Sequence, residues 1–144
     1  MVDFVPHHLG YGLTHPIALE GALKLKEITY AHCEGIFSSE SKHGPLSAVH
    51  EGYPVFITAP GDESMNINHV NEVTTRGGRA IALAAENPAL RANVYDRLAI
   101  PEVDCSLAPI LLTIPAQLIA YRMSVARDID PDFPRSFSKT LAVD

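Results

Sequence analysis

Two short, unbroken apolar runs separated by a helix-length segment set what this chain can fold into. Pro54–Ala59 carries Val55-Phe56-Ile57 between Gly52 and Pro60-Gly61, and a second run, Ala80-Ile81-Ala82-Leu83-Ala84, follows Arg79. Neither alternates polar with apolar residues, so each strand must be covered on both faces, as in a parallel sheet packed between helices. Residues 63–75 between them have helical length and stop at Gly77-Gly78, a glycine end that helices favour. The alternation continues on either side of this unit. It predicts a three-layer α/β/α sandwich with a mostly parallel sheet of four or five short strands.

Upstream, residues 2–9 read as a strand running into Gly10-Tyr11-Gly12, with Thr14 as a helix N-cap and Pro16 in the first turn of a helix over 14–30. The glycines lack the third Gly and the distant acid of a dinucleotide fingerprint, so they are read as a packing turn. Within the helix Leu19, Ala22 and Leu23 recur at spacings of three and four and are expected on the buried face, while Glu20, Lys24 and Glu27 line another stripe. Surface ion pairing alone accounts for such a stripe. The run Ser38-Ser39-Glu40-Ser41 reads as a polar segment outside the core. His43 then precedes Gly44-Pro45, where one element ends and another begins. A short helix ending near Gly52 follows.

Residues 87–96 read as loop or short irregular helix, 97–101 as a last strand and 107–127 as a long helix apolar around most of its circumference. Pro109 fits its opening turn, whereas Pro115 lies far enough in to predict a kink or a broken hydrogen bond. A helix this apolar must bury more than one face, against its own sheet or a second copy of the chain. The tail, 130–144, has no periodicity, yet Phe133, Phe137, Leu141 and Val143 predict that it packs along a surface.

The 144 residues suit one domain, 1–144, that hides roughly 70% of the surface of its unfolded chain. With 11 Lys and Arg scattered among 17 Asp and Glu, no basic stripe is laid out to track a phosphate backbone, so no nucleic-acid partner is expected. Cys33 and Cys105 read as two buried thiols in a reducing compartment. The most hydrophobic stretch is interrupted by Pro109, Pro115 and Gln117, so the expectation is a cytoplasmic protein with no membrane partner. His7, His8 and His15 are read as solvated or capping. No histidine makes a ligand spacing with Asp, Glu or Cys, and neither a metal nor a cofactor is expected.

Together, the run from Ala18 to Glu27, His32 with Glu34, Lys42-His43-Gly44-Pro45, Pro54-Val55, Thr75-Arg76-Gly77-Gly78-Arg79, Leu107-Ala108-Pro109-Ile110, Ile114-Pro115, Gln117-Leu118, Ala120-Tyr121, Pro134-Arg135 and Ser138-Lys139 resemble the isomerase part of glucosamine-6-phosphate synthase. The likeness covers nearly the whole chain in order and is to the second of that enzyme's two sugar-isomerase (SIS) lobes. It implies a doubly wound α/β sandwich and amino-sugar chemistry: glucosamine 6-phosphate from fructose 6-phosphate and ammonia. By position, Glu27 resembles the acid/base that moves a proton between C1 and C2, and Lys24 the lysine that assists at the hydroxyls. His43 resembles the ring-opening histidine supplied across a dimer interface, and Lys139 the tail lysine that engages the keto carbon. An aldose–ketose interconversion needs these types, since a carboxylate must shuttle a proton between adjacent carbons while His or Lys handles the oxygens.

The chain also departs from the pattern. The family's Ser/Thr-rich phosphate loop belongs to a first lobe that is not in this sequence, and the glutaminase domain with its terminal Cys is likewise outside it. Gly10-Tyr11-Gly12 stands where Gly-Arg-Gly is usual. Three readings follow: an isomerase lobe completed by a first-lobe or glutaminase partner, with homodimerisation; a non-catalytic module that binds fructose 6-phosphate or glucosamine 6-phosphate; and an inactive structural fragment of a longer synthase.

Overall fold

The computed structural model describes residues 5–60 and 64–135 of the chain. Five strands, β1 (His7–Gly10), β2 (Glu34–Phe37), β3 (Pro54–Ala59), β4 (Arg79–Ala84) and β5 (Asp96–Ala99), pair in the order β2-β1-β3-β4-β5, every pair parallel. Register places Leu9 between Ile36 and Ile57, and Ile57 opposite Ala82. Four α-helices accompany them: α1 (His15–Thr29), α2 (Ser64–Thr74), α3 (Pro88–Arg91) and α4 (Ala108–Ala126). The three-layer parallel sandwich expected from the apolar runs is the fold observed.

Strand residues of opposite parity feed two cores. Leu9, Val55, Ile57, Ala80 and Ala82 meet Val70 and Val73 of α2, Leu90 of α3 and Leu46 on one side. Phe56 and Leu83 meet Ala22 and Leu25 of α1 and Ala108, Leu112, Ala116 and Ala120 of α4 on the other. Two glycines permit the close layers. A Cβ at Gly21 would enter the His8 ring, and one at Gly35 would lie 2.7 Å from the Leu19 Cα, so α1 sits directly on β1 and β2.

Several expectations need correction. Residues 34–37 form the edge strand β2 rather than a lead-in to a polar loop. The serine run is a 3-10 helix, Ser38–His43, with Ser38 and Ser41 buried and the Ser41 hydroxyl donating to Ser38 O at 2.7 Å. The following segment is also 3-10, over Pro45–Ala48. The buried face of α1 is Ala18, Gly21, Ala22, Leu25 and Thr29, while Leu19 and Leu23 point outward. His7 and His8 are buried strand residues, and Cys105 is exposed although Cys33 is buried. Thr14 does occupy the N-cap of α1, but its hydroxyl bonds elsewhere.

Helix α4 runs unbroken through Pro115, where the missing proline N–H removes one internal hydrogen bond. By length and composition alone it could cross a membrane; in this fold one side packs on α1 and the sheet. Its other side exposes Leu107, Ile110, Ile114, Leu118, Tyr121 and Val125. In the tail Phe133 is 81% exposed instead of packed. Phe137, Lys139, Leu141 and Val143 lie outside the described residues.

Candidate functional site

The Glu20, Lys24 and Glu27 stripe forms as the helical spacing requires. The Lys24 Nζ donates to Glu27 Oε2 at 2.7 Å and lies 3.6 Å from Glu20 Oε1. The hydrogen bond to Glu27 is the main cause that holds the Lys24 amine above its ordinary pKa, so the group is an ammonium at neutral pH. The Glu27 side chain is 21% exposed and that of Lys24 31%, enough access for a substrate and enough cover to fix the rotamers. An ammonium beside a carboxylate can steady an oxygen while the carboxylate exchanges a proton with carbon.

This pair lies near the C-terminal end of α1. Thirteen residues of helix separate Glu27 from Thr14, about 20 Å at 1.5 Å per residue. The N-terminal end of the helix belongs to the crevice where strand order reverses, between β1 and β3, the place where open α/β sheets ordinarily bind ligands. There the Thr58 hydroxyl donates to Leu9 O at 2.9 Å. That of Thr14 reaches Tyr11 O (2.9 Å) and Thr58 O (3.0 Å) and accepts the Tyr11 N–H at 3.1 Å. The bonds tie the turn Gly10–Thr14 to the ends of two strands. The Lys24–Glu27 pair is thus far from the lobe's own crevice.

His43 ends the 3-10 helix after β2 and is exposed. The crossover that carries it packs through Leu46 and Val49 into the α2 side, whereas α1 lies on the other side of the sheet. Among the described residues no hydrogen bond or ion pair joins His43 to Lys24 or Glu27. One lobe therefore brings Glu27 and Lys24 together and keeps His43 in the opposite layer. Lys139 lies outside the described residues.

Around the same end of α1 the structure adds groups not singled out as a cluster by sequence. Glu34 sits 3.3 Å from His32 Nε2 and 3.9 Å from His7 Nε2. Burial lowers the His7 pKa, opposed by Glu34. Tyr30, which caps α1, accepts the Arg135 N–H on its hydroxyl at 2.7 Å. Its partner is 105 residues away, so no local pattern could have shown it. No group of three or more His, Cys, Asp or Glu able to hold a metal occurs among the described residues.

The sequence is 45% identical over 139 residues to a glutamine–fructose-6-phosphate aminotransferase (isomerizing) of Acinetobacter baylyi, covering 94% of this chain and 23% of that protein. The chain thus spans about a quarter of the length of such relatives. Among solved structures, the C-terminal domain of glucosamine-fructose-6-phosphate aminotransferase from Francisella tularensis superposes with a TM-score of 0.80 at 36% identity, covering 90% of this chain and 37% of that one. A glucosamine-6-phosphate deaminase from Thermotoga maritima gives 0.74 at 25% identity over 95% of this chain and 40% of that one. With the parallel β2-β1-β3-β4-β5 sheet and a match to the SIS domain over residues 8–127, the chain belongs to the SIS domain family.

Proposed function

We propose that the chain is the acid–base lobe of a glucosamine-6-phosphate synthase-like isomerase, acting on fructose 6-phosphate at a site that a second SIS lobe completes. The observation that carries this is the Lys24–Glu27 pair, bonded at 2.7 Å and partly exposed, on the outer stripe of α1. Glu27 takes a proton from C1 of the ketose and returns it to C2, and the Lys24 ammonium steadies the neighbouring oxygens. Lys139 supplies an amine to the keto carbon. His43 opens the sugar ring of a substrate held by another protomer, in keeping with its place across the sheet from Glu27.

The phosphate needs an anchor of several donors, and the SIS lobe that provides it in this reading lies against α4. Leu107, Ile110, Ile114, Leu118, Tyr121 and Val125 follow one another at spacings of three and four along the outside of that helix, the seam of a helix that packs on another helix. Leu19 and Leu23 of α1 extend the apolar surface on the same side of the sheet. A face of this kind is covered by a second SIS lobe, in a homodimer and in the complete enzyme, and the cytoplasm is where both substrates of that enzyme are at hand.

The test is a coupled assay of fructose 6-phosphate conversion by the purified chain, with and without a co-expressed first lobe, alongside light scattering. The expected result is a dimer at micromolar concentration, no turnover alone, and turnover with the first lobe. Misplacement of the carbons by about 1 Å costs on the order of 100-fold in rate. Full turnover by the chain alone, or a monomer in scattering, removes the partner-dependent reading.

A further inference from the structure

Helix α2 carries its buried face past the end of the apolar core. Val70 and Val73 pack into that core, and Asn66 and His69 stand four residues before each of them, so the same stripe of the helix continues as two polar side chains. Both are nearly as buried as the valines, at 1% and 3% exposure. Neither amide atom of Asn66 has a hydrogen-bond partner among the described residues, nor has Nδ1 of His69. Because α2 follows β3 and every strand is parallel, this stretch lies at the end of the sheet where α1 begins.

Two other segments reach the same place. The Tyr11 ring, in the turn after β1, lies 6.4 Å from that of His69 and 5.4 Å from that of Phe37 at the end of β2. Ser38 comes next; it is fully buried, and its Oγ has no partner either. Burial is the main cause that lowers the His69 pKa, so the ring is neutral at pH 7, with Glu72 and Lys42 acting on it in opposite directions. One anion and one cation therefore flank the ring. Oε2 of Glu72 is itself buried and unpartnered.

In folded proteins roughly 90% or more of buried polar groups have a partner, because an orphan keeps the cost of leaving water and gains nothing back. Here an amide, an imidazole nitrogen and a hydroxyl without partners meet at the crevice between β1 and β3, where open α/β sheets take ligands. The charges limit what fits. With His69 neutral and Lys42 opposed by Glu72, no net positive field draws a phosphate. Mixed donors and acceptors suit hydroxyl groups, which are both, and the Tyr11 and Phe37 rings supply an apolar wall.

We propose that this crevice binds a neutral, polyhydroxylated ring of monosaccharide size, held by Asn66, His69 and Ser38 against Tyr11 and separate from the Lys24–Glu27 pair. The two places lie in different layers and at opposite ends of α1, so this site does not rest on the function proposed above.

The experiment is an NMR titration of the purified chain with glucose, to about 50 mM, followed at the Asn66 side-chain amide, the Ser38 N–H and the His69 ring. A few net hydrogen bonds predict saturable shifts at all three, with a dissociation constant on the order of 1 mM. Inorganic phosphate at the same concentrations should produce none. Asn66→Leu should weaken glucose binding at least about tenfold and, without the orphaned amide, melt a few degrees higher. Ser38→Ala removes a single oxygen and so spares the fold; it should weaken binding about three- to tenfold. No saturable shift with glucose leaves water as the partner of these groups and overturns the site. Saturation by phosphate overturns the neutral ligand, and unchanged glucose affinity in both variants overturns the residues assigned to it.

Discussion

The two ends of α1 are built from different physics. At its start, Thr14 and Thr58 cross-link strand ends and the Gly10–Thr14 turn through buried neutral hydrogen bonds of 2.9 to 3.1 Å. At its end, Lys24 lies between two carboxylates at partial exposure, and Tyr30 reaches a residue near the other terminus. The first end occupies the crevice that a parallel sheet of this order offers to a ligand, yet its hydroxyls are spent on holding the fold together. The second end has charges not needed to hold the layers, since exposed ion pairs stabilise little. Neutral cross-links and partly exposed charges are divided between opposite ends of one helix. In the proposed function, the charges of the second end face outward, toward a partner lobe.

The sharpest way to break the comparison is Glu27→Gln in the two-lobe enzyme. Removal of the base should lower kcat by about 10²- to 10⁴-fold while the unfolding midpoint barely moves, because a partly exposed pair contributes less than about 1 kcal/mol. A large loss of stability with little loss of rate would make the pair structural and erase the distinction.

A second effect comes from beneath the middle of α1. His8 is 1% exposed against Phe56 and Gly21, neither ring nitrogen has a partner, and burial holds its pKa down at about 4. An unfolded imidazole titrates near 6.5, so the native state binds fewer protons over this range. Stability is complete above about pH 6.5 and is lost as pH falls toward 4, by about 3 kcal/mol in all. His7 and His69 are lowered too, chiefly by burial, and act with the same sign. Urea unfolding of the parent and His8→Leu at pH 7 and pH 4.5 should show a clearly flatter pH dependence in the variant.

The smallest effect tests the other end. Thr58→Val removes the hydroxyl bond to Leu9 O and keeps the Thr58 carbonyl that accepts from Thr14, costing about 1 kcal/mol by urea unfolding. Its kcat in the two-lobe enzyme should stay within about twofold of the parent. A loss of rate comparable to that of Glu27→Gln would mean that the crevice takes part in the chemistry.

Much of this was legible in the residues. The apolar runs at Val55 and Ala80 fixed the parallel sheet because a strand covered on both faces has no polar parity, and the 0, 4, 7 spacing of Glu20, Lys24 and Glu27 put three charges on one stripe because a helix has one period. β2 escaped because it is an edge strand of four residues, half-buried and interrupted by Gly35, with too little apolar pattern to separate it from a turn. Leu19 and Leu23 were assigned inward from their hydrophobicity, whereas small Ala18, Gly21 and Ala22 face the sheet, where β1 and β2 come too close for larger side chains. His7 and His8 were read as polar. Their burial follows from β1 being an inner strand covered on both sides.

What the sequence determined by itself, then, is whatever depends on neighbours along the chain: helical period, glycine stops, strand parity and the pairing of Lys24 with Glu27. Only the tertiary structure decided which face of α1 is buried, that His43 and Glu27 lie in opposite layers, and that Tyr30 holds Arg135. Those relations join residues far apart in the chain, and they exist only once the sheet order has brought the ends of α1 and α4 to one edge.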